Sequence, residues 1–281
     1  MPKSINFIKY LLMKNIEHQT LTADFFEAWK LAIQTVISIA EPLARKEKVS
    51  FKLLRDHLNQ PFIEHFSFVF GNQIFFCCIV TDESTGVGLT SPESLKDYAK
   101  ECGAIPCLFP LVRTDDGSWK PHTPDIPLHY IDETGDFEPL LLASAISNDL
   151  IGMSDWEISD WAINIVVEHV LEEFNIEDKQ EVNYQSTTGI YPQIWFKDKN
   201  GIIYYIVVCA VRFPETEALK PNNIAQICSI SNERGRGFFA SVSFAQADGF
   251  KSQPALGYRP PAEFIYRGCS TRVRFDGLEN L

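Results

Sequence analysis

The stretch YPQIWFKDKNGIIYYIVVCAVRFP, Tyr191 to Pro214, decides how this chain is read. Ile194, Trp195 and Phe196 make a short first strand, Asp198 to Gly201 carry the residues of a turn, and Ile202 to Val211 is an apolar run of strand length. The pattern predicts a β-hairpin whose second strand is apolar enough to be buried on both faces.

Just upstream, Ser154-Asp155-Trp156-Glu157 matches a capping box, in which hydroxyl and carboxylate satisfy the free amides of a helix start. The helix it opens carries Ile158, Trp161, Ile165, Val170, Leu171 and Phe174 on its apolar side, with Glu168, Glu172 and Glu173 among them or opposite. Downstream, Pro221 to Ser231 reads as a helix, Gly235 to Gly237 as a turn and Phe238 to Ala245 as a strand. The tail, with Arg259, Arg267, Arg272 and Arg274, is loop-rich and adds an edge strand.

The first half repeats this order. Phe25, Phe26, Trp29, Ile33, Val36, Ile37 and Ala40 recur at helical spacing and end near Pro42, and Ser50 to Leu58 reads as a second short helix. Phe66, Phe68 and Phe70 alternate as a strand, turn at Gly71-Asn72 and continue into Ile74 to Val80. After a glycine-containing loop, SPESLKDYAKECG has Ser91 as N-cap, Pro92 at the first helical position and Gly103 as the stop. Ile105 to Val112 is a strand that Pro106 and Pro110 place near an edge. Residues 114–150, rich in Asp, Gly and Pro, read as a connection with one short strand at Leu128 to Ile131.

The domains expected are therefore residues 1–113, a loop-rich link 114–150, and 151–281. The fold class is α/β (α+β), with two similar units, each a mixed sheet flanked by helices. Phe68 and Phe196, like Asn72 and Asn200, fall at one constant offset, while Trp29 and Trp161 each open a helix, a pattern that points to tandem duplication.

Over about residues 155 to 245 the order of elements resembles the PD-(D/E)XK nuclease-like core. In that family the first hairpin strand carries an aspartate after a proline, and the second an acidic residue, one intervening residue and a lysine. Gln193, Val207 and Cys209 stand at those positions. The resemblance implies a nuclease scaffold without its chemistry. Carboxylates hold a hard cation and a lysine steadies the developing phosphate charge, and an amide, an isopropyl group and a thiol in an apolar run do neither. The expected function is non-catalytic binding of another macromolecule, a protein in the first place, with no cofactor. The alternatives are a metal-dependent nuclease or other hydrolase that uses relocated carboxylates, Glu168 with Asp198 or Glu215, and a nucleic-acid binder without cleavage activity.

Composition is that of an ordinary soluble globular protein, 45% hydrophobic and 22% charged over 281 residues. A net charge of -12 disfavours sequence-independent nucleic-acid binding, although Arg234, Arg236, Arg267, Arg272 and Arg274 would hold phosphate or an acidic partner if they shared a face. Seven cysteines without C-x-x-C spacing read as reduced thiols. Ile5 to Met13 is too short and too interrupted for a signal peptide, and no run is long enough to span a membrane, so the expected compartment is the cytoplasm. His122, Asp125 and His129 form a weak zinc pattern in the central loop, and no G-x-S-x-G or phosphate-loop motif occurs.

Overall fold

The computed structural model describes residues 23–55, 65–81, 92–186, 189–231, 235–247 and 264–281. Ile5 to Met13, Asp56 to Leu58, the glycine-containing loop with Ser91, Arg234 and Arg259 lie outside the described residues. The chain divides between Asp149 and Leu150 into two compact units. Among the described residues, no helix is long and apolar enough to cross a membrane.

The first unit opens with helix α1, Ala23–Glu47, which buries Phe25, Ala28, Trp29, Ala32, Ile33, Val36, Ala40 and Ala44 along one face. The helix runs through Pro42 instead of ending there. Proline removes a single intrahelical bond, while Ala44 continues the buried stripe and the Val49 amide closes the last turn on the Ala44 carbonyl at 3.0 Å.

Residues Phe51–Arg55 form strand β1, not a short helix. Phe51 and Leu53 pack against the core while Lys52 is exposed, an alternation of two that pairs antiparallel with the next strand. That strand, β2, His65–Phe70, turns directly into β3, Gln73–Thr81. Helix α2, Pro92–Cys102, returns the chain to β4, Ile105–Arg113, parallel to β3. Phe66, Phe68, Phe70, Phe75, Cys77, Ile79, Phe109 and Leu111 form one buried cluster with the α1 stripe.

Strand β4 is interior rather than near an edge. On the side away from β3 it pairs with β5, Trp119–Pro121, and β6, His129–Ile131, and β6 pairs with β7, Phe137–Pro139. Pro106 and Pro110 are tolerated because β6 pairs at Cys107 and Leu108, between the prolines, and β5 at Leu111 to Arg113, beyond Pro110, so neither register includes a proline of β4. Residues 114–149 thus complete the first unit's seven-stranded sheet rather than link two domains.

In the second unit, helix α3, Asp155–Glu173, starts at the expected capping box: the Glu157 amide donates to Ser154 Oγ at 3.3 Å and the Ser154 amide to Glu157 Oε2 at 2.7 Å. Strand β8, Val182–Tyr184, pairs antiparallel with β9, Ile194–Lys197, which pairs with β10, Ile203–Arg212. Helix α4, Ile224–Ser231, leads to β11, Arg236–Gln246, parallel to β10, and β12, Thr271–Asn280, closes the sheet as an antiparallel edge.

Sheet order is β12-β11-β10-β9-β8, with Ile194, Phe196, Ile206, Val208, Ala240, Val242 and Phe244 packed under α3. Gly237 lies inside β11 rather than in a turn. A Cβ there would stand 2.4 Å from the Tyr205 hydroxyl, so the glycine lets that ring pass.

Both units therefore run helix, strand, hairpin, helix, parallel strand, then an antiparallel addition. The cross-strand aromatic stack recurs as well. Phe68 lies over Phe75 at 4.9 Å and Phe196 over Tyr204 at 5.1 Å, each pair in direct register. The matching step along the chain is one residue longer in the second strand of each hairpin than in the first, because the second unit's turn is longer.

Candidate functional site

The positions suggested by the nuclease-like pattern lie where β9 ends and β10 continues past it. On the N-terminal side of Ile194 the chain leaves the regular ladder, which would strand the Val208 amide. A buried amide without an acceptor costs about 1–3 kcal/mol, and Gln193 removes that cost. Its Oε1 accepts the Val208 N–H at 2.9 Å, its own N–H donates to the Ile206 carbonyl, and its carbonyl accepts from the Gln185 amide. The side chain is buried and acts as one more rung of the ladder.

Val207 points to the other face of the sheet and is fully buried with Ile227 of α4 and Phe239 of β11. Cys209, half-buried on that face, meets the Tyr191 hydroxyl. Burial, then the neighbouring Cys209, pushes the Tyr191 hydroxyl up to about 12. Burial raises the Cys209 thiol too, partly offset by its hydrogen bond with Tyr191. Both groups are neutral at physiological pH, so the thiol is no ready nucleophile. Tyr205, earlier on the same strand, is buried, and burial followed by its hydrogen bond with Cys228 raises its hydroxyl as well.

Each of the three carboxylates suggested as relocated ligands has its own setting. Glu168 is exposed on α3 and paired with Lys179 at 2.9 Å. Asp198 builds the β9–β10 turn, accepting the Asn200 and Ile202 amides at 2.9 and 2.8 Å and the Tyr204 hydroxyl at 3.3 Å. Desolvation pulls its pKa upward, but these bonds outweigh that and hold it below the ordinary carboxylate value. Glu215 follows the opposite end of β10, a strand length of about 30 Å from Asp198. Among the described residues, no group of three or more His, Cys, Asp or Glu is arranged to hold a metal ion, His122, Asp125 and His129 included. The His129 imidazole is held below its usual range by burial and then by His122.

The arginines separate as well. Arg267 is a buried structural residue: its Nε and Nη2 reach Glu157 Oε1 and Oε2 at 2.8 and 2.9 Å, with side chains 7% and 5% exposed. Arg236 opens β11, whereas Arg272 sits opposite Ala245 at its far end, about 30 Å along the strand. Arg274 lies beside Arg272 on β12 and pairs with Asp276. No single basic stripe runs through these four described positions.

Two features had no clear signal in the sequence. One is a pair of tyrosine–cysteine contacts, Tyr191 with Cys209 and Tyr205 with Cys228 of α4, made by strand parity and the α4 return. The other is the segment after β10. Its Ala218 amide is anchored to Ser241 Oγ at 2.7 Å, and it displays Phe213 at 45% and Leu219 at 87% exposure.

Residues 156–281 match a family described as Domain of unknown function (DUF8840). The match begins in the first turn of α3 and runs through β12, so it takes in the hairpin, α4 and the edge strand of the second unit. No curated protein and no solved structure matches the chain.

Proposed function

We propose that this is a non-catalytic binding protein on a nuclease-like scaffold, its partner another protein. The observation that carries the reading is the employment of the three expected catalytic positions in packing: Gln193 satisfies a backbone amide, Val207 fills the space beneath α4, and Cys209 seats Tyr191. The strand length between Asp198 and Glu215 and the pairing of Glu168 with Lys179 support it from the other side, since a hard cation needs several oxygens within about 2.6 Å. Leu219 and Phe213, apolar and exposed on an anchored loop, are the kind of surface a protein partner covers. The shared order of elements and the repeated aromatic stack support descent of both units from one duplicated ancestor.

Calorimetric titration with Mg²⁺ and with Mn²⁺, paired with cleavage assays on single- and double-stranded DNA and RNA, tests the reading. The expected result is no saturable heat and no cleavage. Divalent binding at micromolar strength that Glu168→Gln or Asp198→Asn abolishes would replace this reading with the hydrolase.

A further inference from the structure

We propose that the outer edge of β12 pairs antiparallel with the same edge of a second copy of this chain, joining two five-stranded sheets across a two-fold axis. Among the described residues nothing pairs that edge, and β12 is the end of its sheet.

Its backbone direction is fixed at both ends. The Ser270 carbonyl accepts from Ala247 at 2.9 Å and the Leu281 amide donates to Gly237 at 3.0 Å, so residues 270 and 281 face inward. Alternation then turns Thr271, Val273 and Phe275, and likewise Leu278 and Asn280, outward. The irregularity opposite Ala240 and Val242 absorbs the odd residue at Asp276-Gly277, where Gly277 has φ 101°.

The sequence of the strand, TRVRFDGLEN, is basic in its first half and acidic in its second. Laid antiparallel on itself about the Phe275–Asp276 junction, it sets Arg272 against the second copy's Glu279, whose carboxylate also holds Lys220 of its own chain, and Val273 against the second copy's Leu278. Arg274 meets the second copy's Asp276-Gly277 bulge. Each match is made twice by symmetry.

The faces agree too. Arg272 and Glu279 lie opposite Ala245 and Phe239, on the α4 side, while Val273 and Leu278 lie opposite Phe244 and Ala240, on the α3 side. A parallel pairing would set arginine against arginine and glutamate against glutamate, which is destabilising. Charged residues on an edge strand ordinarily guard against promiscuous pairing. Here their order leaves one arrangement favourable, so the same charges that repel other edges select a second copy. Val273, 40% exposed, is the apolar contact that such a partner covers. One strand pair is a small interface, so the dissociation constant is expected on the order of micromolar. The inference holds whether or not the non-catalytic reading does.

Sedimentation velocity on the full chain, from about 1 to about 300 μM, reads the result directly. The expected outcome is a monomer–dimer equilibrium. Arg272→Glu or Glu279→Arg alone weakens it at least about tenfold, and the two reversals combined restore it to within a few-fold of the parent. Val273→Pro removes an outward N–H and leaves the inward ladder whole, so it abolishes the dimer while the far-ultraviolet spectrum and melting temperature stay near the parent's. A chain that is monomeric at every concentration would overturn the proposal. So would a dimer indifferent to Val273→Pro, or a double reversal that does not recover.

Discussion

Both units tie the first turn of their leading helix to an arginine far along the chain, under opposite conditions of solvation. In the first, Asp24 of α1 meets Arg113 at the end of β4, both side chains about a third exposed, and Asp24 also accepts the Trp119 indole N–H at 3.2 Å. In the second, Glu157 of α3 meets Arg267 in a two-pronged bond, both side chains almost fully buried, while the same carboxylate closes the capping box. A solvated pair contributes little because water competes for both charges. A buried pair shows its weight mainly when one member is removed, since a lone charge is then trapped away from solvent.

The largest expected effect comes from that contrast. Arg267→Met leaves Glu157 buried and uncompensated and should cost about 3–5 kcal/mol. Arg113→Met should cost about 0–1 kcal/mol for the ion pair itself. Urea denaturation of the two variants compares them. Equal losses would mean that burial is not what separates the two ties.

A second contrast sits at the base of the two hairpins. In the first unit, backbone pairing runs back to His65 opposite Cys78, so the ladder supplies its own acceptors. In the second, the chain turns away before Ile194 and the Gln193 side chain takes over for the missing carbonyl. Gln193→Ala should therefore cost about 1–3 kcal/mol and speed hydrogen exchange at the Val208 amide, the group left without its acceptor. Unchanged exchange at Val208 would remove Gln193 from this structural role and reopen the question of what it faces.

The same contrasts show which features a sequence displays. The capping box at Ser154, both hairpins and the strand after each second helix are legible because their signals are local: a hydroxyl three residues before a glutamate, turn residues between apolar runs, alternation of side chains. The Phe51 to Arg55 strand reads as a helix because five residues alternate too briefly to separate from a helical turn, and only pairing with β2 decides it. Pro106 and Pro110 suggest an edge, yet β6 covers β4 between the prolines and β5 covers it beyond Pro110, a matter of long-range register. Gly237 reads as a turn residue because the ring that passes it, Tyr205, arrives from another strand. At the candidate site the three neutral positions are visible as residue types. Their packing partners are not, since Gln193 and Val208, or Val207 and Ile227, are brought together only by the finished sheet.

The smallest expected effect concerns alkaline pH and the contrast between a buried thiol pair and a half-buried thiol. The first unit places Cys77 and Cys107 in register across β3 and β4, both fully buried, their thiols raised by desolvation first and then by neighbouring thiols. The second places half-buried Cys209 against Tyr191, whose hydroxyl is pushed up to about 12, by burial first and then by Cys209. A group whose folded pKa lies above its unfolded value binds its proton more tightly in the native state. Its contribution is whole below about pH 10 and is lost as pH rises toward about 12. Thermal melts between about pH 9 and about pH 12 should therefore show a decline that is shallower in Tyr191→Phe, which cannot ionise, than in the parent. At about pH 7 the two proteins should differ only by the lost hydrogen bond, about 1 kcal/mol. A Tyr191→Phe variant that declines as steeply as the parent would place the alkaline transition elsewhere, with the buried Tyr205 hydroxyl beneath α4 the next group to test.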